Sequence, residues 1–291
     1  MQNALSPTST ALLRPQRLIY EALVRTALLE DLGHGTDLTT DAIVPREATA
    51  TARIVARKAG VVAGLEPAML AFELLRGDVA VETAIDDGGS VAAGGTIARV
   101  SGSARAILTG ERTALNLLGR LSGIATATRE LVDLVAGTKA RIVCTRKTTA
   151  GWRALERYAV RCGGGSDHRF GLDDAVLIKD NHIAVAGSIR ACVAAARASA
   201  GHMVKVEVEV DTLEQLREAL NEPVDAVLLD NLAPAQLREA VSIVNGKAIT
   251  EASGGITKAN VTDVARTGVD LISVGWLTHS SPALDVGLDI G

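Results

Sequence analysis

Three short segments gather the residues best able to do chemistry: Arg146-Lys147, then Gly163-Gly164-Gly165 leading into Asp167-His168-Arg169, then Lys179-Asp180-Asn181-His182. From Lys139 to Lys179 there are nine Lys/Arg against four Asp/Glu, in a chain of 291 residues whose formal net charge is -4. The positive charge is therefore local. A guanidinium matches a carboxylate or phosphate bidentately and a lysine supplies a mobile point charge, so the mixture suits a small ligand with several anionic groups. Arg153, Arg157 and Arg161 differ: their four-residue spacing puts them on one helix face, expected to be solvated or at an interface. His34, His182 and His202 read as structural or surface residues.

A second group of polar residues recurs where short apolar runs end: Glu209, Asp230-Asn231, Ser253-Gly254-Gly255 and Ser273-Val274-Gly275. In Val204-Lys205-Val206-Glu207-Val208-Glu209-Val210 the valines share one face and the charges the other, because strand residues alternate. If the valines pack under helices, Lys205, Glu207 and Glu209 point inward. The two glycine motifs suit a phosphate held by backbone N–H groups near a helix start, since glycine lets the backbone approach the oxygens. The plainer reading of Asp230-Asn231 is a turn that caps a helix starting near Pro234.

The elements that would position these residues follow from periodicity. Residues 17–30 space their apolar side chains as one helical face and end at a turn-rich Asp-Leu-Gly-His-Gly. Strand-like runs at 50–57, 60–64, 79–85 and 96–100, with a helix over 67–75, form a smaller α+β unit ending near Ser103. Residues 104–135 keep a helical period, with Gly119 and Gly123 as candidate kinks. Beyond them strands at 141–145, 175–179, 204–210, 226–230, 248–252 and 271–275 alternate with helix-length segments. That rhythm predicts a parallel sheet closed, or nearly closed, into a barrel, whose chemistry sits at the carboxyl ends of the strands.

Composition removes several function classes. Aromatic residues make up only 2% of the chain, which leaves few platforms for base stacking, and the acidic balance argues against duplex DNA. No nucleic-acid partner and no membrane association are expected, because no segment is apolar for long enough to span a bilayer. Cys144, Cys162 and Cys192 lack metal-ligand spacing and their odd number fits reduced thiols in the cytoplasm.

With these residues in place, the chain resembles the quinolinate phosphoribosyltransferase family, the decarboxylating type II enzymes of NAD biosynthesis. The similarity runs through Glu30-Asp31, Asp37-Leu38-Thr39-Thr40, Glu111-Arg112-Thr113-Ala114-Leu115-Asn116, residues 146–149, 168–172, 179–182, 207–210, 229–231, 251–256 and 272–280. As an ordered set these motifs are specific. The resemblance implies an α/β fold with an N-terminal α/β open sandwich and a C-terminal seven-stranded, TIM-like α/β barrel. Residues 1–16 would be a flexible tail, 17–118 with 276–291 the sandwich domain, and 119–275 the catalytic barrel.

It also implies a homodimer, with scope for higher oligomers, in which the first domain of one subunit covers the barrel mouth of the other. The implied reaction converts quinolinate and phosphoribosyl pyrophosphate (PRPP) to nicotinate mononucleotide, pyrophosphate and carbon dioxide, with Mg2+. By motif, Arg146, His168, Arg169 and Lys179 would hold the quinolinate carboxylates, with Arg112 supplied by the neighbouring subunit. Lys147 corresponds to a pyrophosphate-side lysine, and Glu209 and Asp230 to an acidic pair near the ribose hydroxyls and magnesium. Lys147, Lys179, Glu209 and Asp230 are thus the expected catalytic residues. Ser253, Gly254, Gly255, Ser273 and Gly275 match the 5'-phosphate loops, with His279 near the same end. The chain departs from the pattern at Gly119, Ala150, Trp152 and Asp167. Asp167 stands where asparagine usually precedes the His-Arg pair, and a carboxylate there is expected to weaken a dianionic ligand.

Three other readings use the same residues. One is a paralogous pyridine phosphoribosyltransferase-like protein linked to molybdenum transport. Another is a Schiff-base lyase with Lys179 or Lys147 as nucleophile. The last is a non-catalytic anion sensor, which leaves the inward acids without a role.

Overall fold

The computed structural model describes residues 12–291, which fall into two compact units. The first comprises the chain up to Thr126, Ala154–Cys162 and Pro282–Gly291, and the second Ala127–Arg153 with Gly163–Ser281. The expected flexible tail lies mostly outside the described residues. Its last part is held: Arg14 pairs with Glu66 at 2.9 Å and the Leu13 carbonyl accepts from Arg161 at 3.0 Å.

In the first unit a four-stranded antiparallel sheet runs in the order Val286–Ile290, Thr49–Ala56, Thr96–Ser103, Val79–Thr83. Its edge strand comes from the end of the chain, so the terminal residues do rejoin this unit, beginning at Pro282 rather than 276. The helix Arg17–Leu32 buries Tyr20, Val24 and Leu28, a four-residue repeat that makes one stripe. The helix Ala104–Leu134 is continuous, so Gly119 and Gly123 do not break it. They serve close packing instead. A Cβ on Gly119 would meet the Leu284 carbonyl oxygen at 2.9 Å, and one on Gly123 would meet Ala283 Cα at 2.9 Å, so only glycine lets the returning chain lie against the helix.

The helix Arg153–Cys162 overturns one expectation. It sits in the sequence of the barrel, yet from Ala154 it groups with the first unit. Tyr158 is buried there and donates to Asp87 at 2.8 Å, while the fully buried Glu156 accepts from Arg120 at 2.8 Å. Arg157 is only 7% exposed and Arg153 and Arg161 are half-buried, so of the two expected settings the fully solvated one does not hold. A guanidinium stem packs as well as a hydrocarbon, and spacing alone cannot tell a wet face from a packed one.

The second unit is the α/β barrel. Six parallel strands follow the order Arg141–Val143, Leu271–Ser273, Ile249–Ser253, Ala226–Asp230, Val206–Val210, Val176–Ile178. Where a seventh strand was expected, the described residues show a single parallel bridge between Ser166 and Val143. Val206, Val208 and Val210 are buried with Val193, Leu216, Val227 and Leu237 in one core, which turns Glu207 and Glu209 the other way. Lys205 does not follow them. It precedes the first strand residue and pairs with Asp225 at 2.7 Å, in a cluster with Arg197 at the amino ends of the strands, opposite the mouth.

Candidate active site

The strands end together, and their last residues form the walls of one cavity. It encloses about 380 Å³ and is lined by Thr145, Arg146, Lys147, His168, Arg169, Lys179, Glu209, Asp230, Glu251, Ser253 and Ser273, with Leu177 and Leu228. A second cavity of about 410 Å³ shares Thr145, Lys147, Asp230, Ser253 and Ser273 with it and adds Asn231, Gly254, Gly255, Gly275 and His279. Thirteen of the fourteen residues expected at the site therefore meet in two adjoining spaces. Arg112 does not: it is exposed on the helix Ala104–Leu134 of the first unit.

The first cavity is strongly cationic on one side. The Nε groups of Arg146 and Arg169 are buried and have no hydrogen-bond partner. Burial, and then the neighbouring Arg146 charge, hold the Arg169 guanidinium below its ordinary pKa. Two guanidiniums this close repel unless an anion lies between them, and buried donors without acceptors are costly. Arg169 is aimed by a 3.0 Å hydrogen bond from its terminal nitrogen to the Ala175 carbonyl. Lys179 forms an ion pair with Glu209 from the adjacent strand. Asp167 is exposed and is not among the residues lining the cavity.

The floor holds two buried glutamates and a half-buried histidine. His168 Nε2 lies 3.1 Å from a Glu207 carboxylate oxygen and 3.5 Å from Glu251 Oε1, while its Nδ1 accepts from the Arg169 N–H at 2.8 Å. Burial pushes His168 down, but the hydrogen bond to Glu207 and the charges of both glutamates outweigh it and leave the ring above its ordinary value. Burial pushes the Glu251 carboxyl up to about 7, the Glu207 carboxylate adds to this, and His168 and a Ser273 hydrogen bond oppose it. The three donor atoms lie within 4.8 Å of one another, a spacing that also suits a cation. Here His168 Nε2 itself faces both carboxylates.

The second cavity is a cradle. Gly254 and Gly255 both have positive φ, at 88° and 58°, and a side chain on Gly254 would run into Asn231, whose backbone nitrogen lies 2.9 Å from the Cβ position. At Gly275 a Cβ would meet Lys147 Cδ at 2.9 Å. Glycine is thus required at Gly254, against the Asn231 backbone, while a side chain at Gly275 would displace that of Lys147. Asn231 itself takes φ 55°, donates its backbone N–H to the Ser253 carbonyl at 2.9 Å and its side-chain amide to Asp230 at 2.6 Å. The helix after it starts at Pro234 with Ala233 as its cap, so Asp230-Asn231 faces the cavity and caps nothing.

Glu251 is the functional candidate the sequence reading passed over. Its signal was present: in the strand Ile249–Ser253 it lies two residues before Ser253, on the same inward face, as Glu207 lies two before Glu209.

Fold and cavity together define an α/β-barrel enzyme that handles small, multiply anionic molecules. The family profile for the quinolinate phosphoribosyl transferase N-terminal domain matches residues 37–122 and that for the C-terminal domain residues 124–289. The probable nicotinate-nucleotide pyrophosphorylase [carboxylating] of Bacillus subtilis is 46% identical over 94% of this chain and 94% of its own. The nicotinate-nucleotide pyrophosphorylase [carboxylating] of Mycobacterium leprae is 46% identical over 92% and 95%. The solved nicotinate-nucleotide pyrophosphorylase of Francisella tularensis superposes with a TM-score of 0.91 at 38% identity, covering 96% of this chain and 98% of the other. The chain belongs to the quinolinate phosphoribosyltransferase family.

Proposed function

We propose that the chain transfers phosphoribosyl from PRPP to the ring nitrogen of quinolinate and releases the 2-carboxylate, giving nicotinate mononucleotide, pyrophosphate and carbon dioxide. The observation that carries this reading is the junction of two cavities, one with unpartnered guanidinium donors and one with a glycine cradle, on a chain of this family. Arg146 and Arg169 supply donors for the two carboxylates, with Lys179. Ser253, Gly254, Gly255, Ser273 and Gly275 receive the 5'-phosphate, and His279 lies at the same end.

Breaking the bond to pyrophosphate builds positive charge on the ribose and negative charge on the leaving group. Glu209 and Asp230 stabilise the first, while Lys147 and the arginines stabilise the second. Asn231 holds Asp230, and Lys179 holds Glu209, so both acids are oriented before substrate arrives. The donor set fits magnesium, a hard cation that takes carboxylate and phosphate oxygens. Glu209 and Asp230 would hold it together with the PRPP phosphates, and it would supply positive charge on the pyrophosphate side.

Arg112 is exposed on the first unit and would reach the carboxylate end of a neighbour's site in a homodimer. The three cysteines are buried, which suits reduced thiols in a cytoplasmic enzyme. No helix among the described residues is long and apolar enough to cross a membrane.

The test is to combine the protein, magnesium, PRPP and quinolinate and assay nicotinate mononucleotide, with nicotinic acid as the control acceptor. Product from quinolinate alone supports the assignment. Product from nicotinic acid alone moves the chain to a non-decarboxylating activity, and borohydride trapping of a substrate imine on lysine would move it to a lyase.

A further inference from the structure

Loss of carbon dioxide leaves an electron pair on C2 of the pyridine ring, and nicotinate mononucleotide carries hydrogen there. An acid must therefore meet C2, and the cations of the cavity are poor candidates. Arg146 and Arg169 do not deprotonate, Lys179 is paired with Glu209, and Lys147 lies against Gly275 on the side of the glycine cradle. His168 is spent at both nitrogens: Nδ1 accepts from the Arg169 N–H, and Nε2 faces Glu207 and Glu251.

Glu251 is different. It is 1% exposed, lines the cavity among the groups that hold the substrate carboxylates, and its Oε1 has no hydrogen-bond partner. The charged groups around it are the Glu207 carboxylate and His168 and, elsewhere on the cavity wall, Arg146, Lys147, Arg169, Lys179, Glu209 and Asp230. Two glutamates and one imidazole share this floor. The Arg169 N–H at Nδ1 opposes a second proton on the ring, so a proton favoured by the two adjacent carboxylates is shared onto a carboxyl as well. Burial selects the more enclosed of the two, and it holds Glu251 well above the usual carboxylate range.

We infer that Glu251, beside His168 and Glu207, is the catalytic acid that protonates C2 after decarboxylation, an assignment that rests on the reading of the site as a decarboxylating phosphoribosyltransferase. The bond from C2 to its carboxylate breaks, carbon dioxide leaves, and the electron pair stays on C2 beside the cationic ring nitrogen. That pair takes the Glu251 carboxyl proton, and the O–H electrons remain on the carboxylate. A solvent proton restores the acid, so each turnover consumes one. Without the acid, the electron pair recaptures carbon dioxide and the carboxylated nucleotide persists.

The test is single turnover with Glu251→Gln, which keeps the shape and removes the proton. Pyrophosphate release is expected within about threefold of the parent, while nicotinate mononucleotide formation falls about a hundredfold, the range for loss of a general acid, and the carboxylated mononucleotide accumulates. Pyrophosphate release and decarboxylation falling in step, or both remaining at the parental rate, would overturn the inference. Infrared difference spectra of the parent protein give a reading that does not depend on the variant. A protonated carboxyl band is expected at pH 6 that quinolinate and PRPP together alter; its absence would also overturn the inference. If the parent makes no nicotinate mononucleotide at all, the functional reading fails, and that outcome is distinct from both.

Discussion

Glu251→Gln should change how stability depends on pH, even with no substrate present. The carboxyl has an ordinary value of 4.5 and is pushed to about 7 in the fold. Between those values the unfolded chain has already lost this proton and the native state keeps it, so the unfolded state binds fewer protons and stability falls as pH rises. At about 1.4 kcal/mol per pH unit, the full penalty is about 3 kcal/mol, of which about 2–3 kcal/mol develops between pH 5 and pH 8.5. His168, raised in the fold, acts in the same direction as its own proton leaves. Glutamine carries no such penalty. Urea unfolding of parent and variant at pH 5 and pH 8.5 should therefore show similar stability at the lower pH and a variant more stable by about 2 kcal/mol at the higher. Parallel profiles would show that Glu251 is not a buried, protonated carboxyl and would refute the reasoning.

Arg146→Ala should lower kcat/KM for quinolinate by about a hundredfold, the loss of a charged hydrogen bond in a buried site, measured under saturating PRPP; ordinary turnover would contradict the carboxylate assignment. Gly254→Ala should raise the PRPP KM at least about tenfold, because an L-residue in the left-handed region costs about 1–2 kcal/mol and its Cβ displaces Asn231; steady-state kinetics should show the quinolinate KM little changed. At the opposite end of the barrel, burial pushes Asp225 up, but hydrogen bonds from Lys205, Val206 and Arg197 outweigh it and hold it at about 2. Asp225→Ala should cost about 2 kcal/mol of stability at pH 7 with kcat unchanged, and the parent should lose that contribution as pH falls from 3.8 toward 2.

Much of this was legible in the residues, for a physical reason. Strand ends carry chemistry in barrels, and Arg146, Lys179, Glu209, Asp230, Ser253 and Ser273 all sit where an apolar run stops. What stayed hidden depended on where backbone turns begin and which units pack together. Lys205 alternates with Glu207 in sequence but lies before the strand starts, so Asp225 captures it. The helix Arg153–Cys162 has the charge pattern of a surface helix, and only its contacts with Asp87 and Arg120 show that its polar residues are buried. Glu251 escaped notice because a single acid among Ile, Thr and Ala reads as incidental until the fold puts Glu207 and His168 beside it.

The most direct measurement follows quinolinate labelled in its 2-carboxylate and counts labelled carbon dioxide against pyrophosphate. One of each per turnover is expected, only with PRPP and magnesium together, and no label release from the 3-carboxylate. Carbon dioxide released without PRPP, or pyrophosphate released with nicotinic acid as readily as with quinolinate, would contradict it.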